Sequence, residues 1–309
     1  MHLIELEQAL REGADYETWV ERVAAYFDSH SLHFGHGTDN AADEAYWLVR
    51  AVRGWDEEGW DAPADPSEVP RVLELARARV ELRKPMAYLL GEAWFAGLRF
   101  TIDNRVLVPR SPLGELIESC FEPWCRIEPG DRLLDVGTGS GCLALAAAYH
   151  CPSLRVDATD VSTAALEIAR SNAQTLGLAD RVTFIDADLY PPRGAEYEII
   201  VSNPPYVPTS RLAELPPEYA HEPALGLDGG SAGLDIVARL LAESPTYLAP
   251  GGSLIVEVGE AQDAFTAAYP ELPVTWLEFE RGGEGVFLIS RDDLISPDIP
   301  PGGRCAERK

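Results

Sequence analysis

The feature that most constrains this chain is the alternation that begins after Gly130. "RLLDVG", "RVDATD", "RVTFIDAD" and "YEIIVSN" are short apolar runs, each ending in polar or glycine residues. "CLALAAAYH" and "STAALEIARSNAQTLG", which separate the first three, carry helical spacing. In the second, Leu166, Ala169, Ala173 and Leu176 share one face, Ser162 can cap the start and Gly177 can end it. Repeated strand–helix–strand units predict an α/β fold: a mostly parallel, doubly wound sheet with helices on both faces. "GGSLIVEVG", "VTWLEFE" and "EGVFLIS" supply later strands, and "LDIVARLLAESPTYL" a later helix.

The preceding residues have a different grammar. "IELEQALREG", "YETWVERVAAYFDS", "DEAYWLVRAVRGW" and "EVPRVLELARARVELR" place apolar residues three and four apart, with no strand signal between them. Residues 1–92 therefore read as a small helical bundle. Residues 93–112 alternate and carry Gly97 and Asp103-Asn104 as turn signals, which predicts a β-hairpin linker. Residues 113–309 form the α/β domain, with a polar, proline-rich tail expected to fray from about residue 291.

"DVGTGSG", Asp135 to Gly141, follows the first strand and opens a helix. Ligands of such sheets bind outside the carboxyl ends of the strands. Gly137 and Gly139 fit a dinucleotide fingerprint, but its third glycine position holds Cys142, with Gly141 one residue early. That disfavours a pyrophosphate cradle. An acid followed by GxGxG, here Asp135, Gly137, Thr138, Gly139, Ser140 and Gly141, is typical of sites for S-adenosylmethionine (SAM). Asp160, at the end of the second strand, can accept both ribose hydroxyls of an adenosine. Asp188, read as the end of the third strand, is expected near the adenine amine, with Leu189 as an apolar wall.

The fourth strand runs into "VSNPPYV", Val201 to Val207. Two consecutive prolines cannot continue a ladder, so Asn203 sits on a rigid corner beside the cofactor crevice. The Asn203 side-chain oxygen and the Pro204 carbonyl can each accept one N–H of a planar NH₂ group. A planar nitrogen is a poor nucleophile, and two acceptors orient it and favour positive charge building on it. Pro205 stiffens the corner, and the Tyr206 ring can stack on the planar group.

Together these segments resemble the HemK-type protein N5-glutamine methyltransferases. "RKPMAYLLGEAWFAGLRF" resembles that family's domain junction and "VLVPRSP" its helix-opening motif. "DVGTGSG", "NPPYV" and "PPEYAHEPALGLDGGSAGLD" follow in the family order. The resemblance implies a Rossmann-like SAM-dependent methyltransferase fold. It implies methyl transfer from SAM to a glutamine side-chain nitrogen, with S-adenosylhomocysteine as product and a helical domain that helps bind the protein substrate. Ser111-Pro112 stands where the release-factor branch usually carries an Asp-Thr-Glu stretch, and "FGHGTDNAADEA" spans Phe34 to Ala45. Both resemble the branch that methylates large-subunit ribosomal protein L-three, and make the GHGT loop either a recognition element or an exposed turn. His221-Glu222-Pro223 also matches a family motif, with no chemistry it must perform.

Net charge supports a basic protein partner and opposes nucleic acid: Lys plus Arg total 25 against 51 acids, a balance of −26. Five cysteines at irregular spacing suggest neither a disulfide framework nor a zinc site, and no metal is expected. The acidic, amphipathic N-terminus and the lack of a long apolar run predict a cytoplasmic protein without membrane attachment. Three alternatives stay open on sequence alone. They are glutamine methylation of release factors at their GGQ motif, N6-adenine methylation of nucleic acid, and an idle SAM-binding module.

Overall fold

The computed structural model describes residues 1–13, 15–54, 63–192 and 194–295. The chain divides into two compact units. One comprises Met1–Ala93, Ile102–Asn104 and Leu215–His221; the other comprises Trp94–Thr101, Arg105–Glu214 and Glu222–Lys309.

The first unit is helical: α1 (Leu3–Glu12), α2 (Tyr16–Asp28), α3 (Ala41–Arg53), α4 (Val69–Leu82) and α5 (Met86–Leu90). Asp15 caps α2 through the Thr18 N–H at 2.7 Å, and Asn40 caps α3 through the Asp43 N–H at 2.9 Å. Leu6, Leu10, Trp19, Val23, Phe27, Leu48 and Val72 fill its core. Residues 55–62, in the connection between α3 and α4, lie outside the described residues.

The unit also claims Leu215–His221, which the sequence reading left in the α/β domain. Buried charge explains this. Glu218 is fully buried and accepts from the Arg79 guanidinium at 3.0 Å and from the His33 N–H at 3.0 Å. Tyr219 packs its ring 4.6 Å from that of His36. His36, in the GHGT loop, is only 2% exposed, so this histidine is part of the interior rather than an exposed turn.

A two-stranded hairpin follows in the chain, β1 (Glu92–Phe95) with β2 (Leu98–Thr101). It is shorter than the predicted 93–112 linker. Pro109 and Pro112 cannot donate to a ladder, and the Val108 N–H goes to the Glu222 carboxylate at 3.1 Å instead of to a strand. α6 (Leu113–Glu118) comes next.

The second unit is built on seven strands: β3 (Arg132–Val136), β4 (Arg155–Asp160), β5 (Val182–Asp186), β6 (Tyr197–Ser202), β7 (Leu248–Glu257), β8 (Thr275–Trp276) and β9 (Val286–Ser290). They lie in the order β5-β4-β3-β6-β7-β9-β8. β5, β4, β3, β6 and β7 pair in parallel, while β9 runs antiparallel to both β7 and β8. The order reverses direction at β3, placing the switch point between β3 and β6. α7 (Cys142–His150), α8 (Thr163–Thr175), α9 (Asp235–Glu243), α10 (Gln262–Ala268) and α11 (Arg291–Leu294) complete the unit. α8 starts at Ser162, whose hydroxyl accepts from Ala165 N–H. It ends in a Schellman pair, Leu178 N–H to Ala173 O at 2.8 Å and Gly177 N–H to Gln174 O at 3.1 Å. Among the described residues, no helix is long and apolar enough to cross a membrane.

Two expectations are corrected in this unit. "VTWLEFE" yields only Thr275–Trp276 as strand: the Leu277 N–H still reaches the Val286 carbonyl at 2.8 Å, but the chain then turns, with Gly282 N–H on the Phe279 carbonyl at 3.3 Å and the Glu280 N–H on the Glu115 carboxylate at 2.8 Å. Order also persists past residue 291: the Ser290 hydroxyl accepts the Asp293 N–H at 3.1 Å and caps α11. The rest of the tail, including Cys305, lies outside the described residues.

Candidate active site

At the carboxyl ends of β3, β4 and β6 lies a cavity of about 410 Å³. Asp135, in β3, is fully buried beneath it. One of its oxygens accepts from the Thr138 hydroxyl at 2.6 Å and from the Ala144 N–H at 3.1 Å. The other is buried without a partner. Burial pushes this carboxyl up to about 7, against the pull of those two donors. The loop above it is held to β4 by the Gly137 and Thr138 N–H groups, both 2.9 Å from the Thr159 carbonyl. Gly137 and Gly139 sit at φ of +76° and +55°, with nothing within 4 Å of where a side chain would start.

Asp160 ends β4. Its oxygens accept from the Gly139 and Ser162 N–H groups, each at 2.8 Å, so the carboxylate is fixed under the loop with lone pairs remaining for hydroxyls. Burial raises it above the ordinary carboxylate range. Asp188 is not at a strand end. β5 stops at Asp186, and Asp188 is an exposed carboxylate forked by Arg239 at 3.1 and 3.0 Å. Leu189 does line the cavity, at φ +66°. Its turn is closed by Tyr190 N–H to Asp188 O at 3.1 Å, a γ-turn geometry that is strained for leucine. The Thr159 hydroxyl holds the Leu189 carbonyl at 2.5 Å.

From the other side come Asn203, Pro204 and Pro205. The Asn203 amide nitrogen points to the Arg110 carbonyl at 3.5 Å, which leaves its oxygen as the free acceptor. Among the described residues no backbone N–H donates to the Pro204 carbonyl. The "PPEYAHEPALGLDGG" stretch returns here: Val207 N–H donates to Leu227 O at 2.9 Å, and Gly229 N–H to Val207 O at 2.8 Å. Tyr206 is not among the lining residues. Its hydroxyl donates to Glu257 at 3.2 Å, and a side-chain carbon at Gly259 would come within 2.8 Å of its ring.

The cavity thus gathers Gly137, Thr138, Gly139, Ser140, Asp160, Asp188, Leu189, Asn203, Pro204 and Pro205. Asp135 and Gly141 stand behind its wall, and so does Tyr206. An orphaned buried carboxylate oxygen beside an open glycine loop suits a cationic nucleoside such as SAM. Sequence reasoning missed Glu257, at the end of β7, and Arg110, which Glu222 forks at 2.8 and 2.6 Å. The rule that singled out Asp160, an acid ending a strand at the crevice, also applies to Glu257.

Residues 121–214 match the family model of the methyltransferase small domain. A ribosomal protein uL3 glutamine methyltransferase of Bordetella pertussis is 46% identical over 267 residues, covering 84% of this chain and 89% of that protein. One from Neisseria gonorrhoeae is 40% identical over 296 residues, covering 94% and 99%. Among solved structures, the hMettl16 catalytic domain in complex with a MAT2A 3'UTR hairpin matches with a TM-score of 0.50 at 17% identity, covering 84% of this chain and 93% of that one. That likeness is one of fold.

Proposed function

The chain belongs to the family of ribosomal protein uL3 glutamine methyltransferases, and on that footing we propose that it methylates the side-chain amide nitrogen of a glutamine in uL3, the L-three protein of the large ribosomal subunit. The observation that carries this reading is one cavity in which the glycine loop meets the Asn203-Pro204 corner. When bound, SAM supplies an electrophilic methyl group: the amide nitrogen's lone pair forms the new N–C bond, the S–C electron pair stays on sulfur to give S-adenosylhomocysteine, and one amide proton is lost to water. The chain's own contribution is orientation. The Asn203 side-chain oxygen and the Pro204 carbonyl accept the two N–H bonds of the glutamine amide and turn its lone pair toward the glycine loop. Two prolines keep that corner from rearranging.

A basic ribosomal protein suits a surface of net charge −26, by long-range attraction that raised salt weakens. The reaction is placed in the cytoplasm, with the substrate. The test is to incubate the purified chain with SAM and, separately, uL3, release factors and DNA, then locate the added methyl by mass spectrometry. Label on a uL3 glutamine is expected. Label on the release-factor GGQ glutamine keeps the chemistry and moves the substrate, whereas label on adenine removes both.

Two expectations concern SAM alone. Asp160→Ala should weaken its binding by about 1.5–3 kcal/mol, the worth of hydrogen bonds to a charged group. Calorimetry showing unchanged affinity removes Asp160 from the site. Asp135, raised to about 7 by burial, should couple binding to pH. A cation prefers the ionised carboxylate, so affinity should fall as pH drops through about 7, by at most about tenfold per pH unit. In Asp135→Asn that part of the pH dependence should vanish; if it persists, another group carries it.

A further inference from the structure

A methyltransferase cavity takes in a cation and must release a neutral molecule: SAM carries a sulfonium, and its product S-adenosylhomocysteine does not. The charges in the wall are therefore part of the chemistry. Among the described residues three cations line the cavity, Arg105, Arg110 and Arg239, and each stands against a carboxylate. Arg105 meets Glu167 at 3.1 Å and Arg239 meets Asp188 at 3.0 Å. Both pairs are exposed, so solvent screens those charges with or without the partner. Arg110 is different. Glu222 takes its guanidinium in a fork at 2.8 and 2.6 Å, accepts the Val108 N–H at 3.1 Å as well, and has a fully buried side chain. Given the reading of this cavity as a SAM site, we propose that Glu222, by cancelling the charge of Arg110, sets the preference of the cavity for the cationic cofactor over its neutral product.

With Arg110 cancelled, the buried charges left at the cavity are acidic. Asp160 is fixed under the glycine loop, and Asp135 lies beneath it with one oxygen unpartnered. Such a field attracts a sulfonium and is nearly indifferent to the thioether that remains after transfer. Without Glu222, a partly buried guanidinium in the wall would oppose the sulfonium in the ground state and the positive charge that builds on the amide nitrogen during transfer. Burial is what makes this pair matter more than the other two: the interaction is screened least where water is excluded, and an uncompensated charge costs most there. The two-point fork also fixes where the guanidinium stands. This gives a task to Glu222 in the His221-Glu222-Pro223 stretch, for which no chemistry could be read from the sequence.

The test compares two ligands that differ by one methyl group and one charge. SAM and S-adenosylhomocysteine are each titrated calorimetrically into the ligand-free chain at about pH 8.5, where Asp135, raised to about 7, is ionised. Glu222→Gln keeps the shape and an acceptor oxygen but leaves the guanidinium uncompensated. Its Kd for SAM should rise at least about threefold relative to its Kd for S-adenosylhomocysteine, the Coulombic effect of one charge across a cavity of this size. Arg110→Gln leaves the carboxylate without its cation and should move the ratio the other way by a similar factor. It decides the matter if Glu222→Gln does not fold. Combining Arg110→Gln with Glu222→Gln should bring the ratio back to within about twofold of wild type. Under turnover, Glu222→Gln should be half-inhibited by correspondingly less S-adenosylhomocysteine at a fixed multiple of its KM for SAM. A merely structural pair would weaken both ligands together and leave their ratio unchanged. A ratio that moves less than about threefold in folded Glu222→Gln, or failing that in Arg110→Gln, overturns the proposal and leaves SAM binding standing. A shift that persists in the double variant comes from lost packing and overturns it too. Wild-type protein that binds neither ligand overturns the cofactor reading and this inference with it.

Discussion

Replacing Asn203 by alanine should leave SAM bound within about threefold of wild-type affinity and lower turnover by about 10²–10³, the usual loss for one pre-organised polar contact at a reacting centre. Asn203 lines the cavity and is only partly buried, so its truncation leaves little void and costs the fold little. What disappears is one of two acceptors for the substrate amide. Pro204 still holds one N–H, but the amide can then rotate about that bond, and its lone pair points at the donor for only part of the time. Single-turnover measurements at saturating SAM isolate this step. A loss under about tenfold means that the second acceptor is not used.

The glycine loop and the proline corner were legible because each packs its chemistry into seven consecutive residues at a strand end. Asp160 was legible for the same reason. Asp188 was misplaced by two residues because β5 ends at Asp186, and because Arg239, fifty-one positions away, holds the carboxylate. Glu257 was missed because its meaning depends on Ser111 and Tyr206, which lie 146 and 51 positions away and meet it only in three dimensions. β8 was overestimated for a similar reason: nothing local shows that the chain will turn at Phe279 and give the Glu280 and Arg281 N–H groups to Glu115. His36 sits in a glycine-flanked loop that reads as exposed, but Tyr219 arrives from far along the chain and buries it. Local pattern sets the elements, and long-range charge and packing decide where they stop.

That principle gives the second large effect. Arg79 is 1% exposed, between Glu44 at 2.5 Å and Glu218 at 3.0 Å, and donates to the His33 carbonyl at 2.7 Å. Arg79→Ala should destabilise the helical unit by about 3–5 kcal/mol, because it strands buried carboxylates rather than removing a pair. The two acids are not equivalent. Burial would raise Glu218, but the His33 N–H, Arg79 and Arg83 hold it below the ordinary range, and Arg83, 2.9 Å from it, remains to pair with it in the variant. Glu44 is raised by burial even with Arg79 opposing, and then keeps only the Thr38 hydroxyl at 3.3 Å. A folded-state value above the unfolded one means that the folded protein binds the proton more tightly, so its stability increases as pH falls through that value. The variant should therefore recover stability when pH is lowered from neutral to about 5, just above the ordinary glutamate value. In the wild-type protein depressed Glu218 loses stability on acidification, and Glu44, still opposed by Arg79, gains less than in the variant. Adding Glu44→Gln to Arg79→Ala should restore part of the loss at neutral pH. Denaturant unfolding at both pH values measures all three proteins. A deficit under about 1 kcal/mol, or one that deepens with acid, means that solvent reaches Glu44 and that Arg79 is not its essential counter-charge.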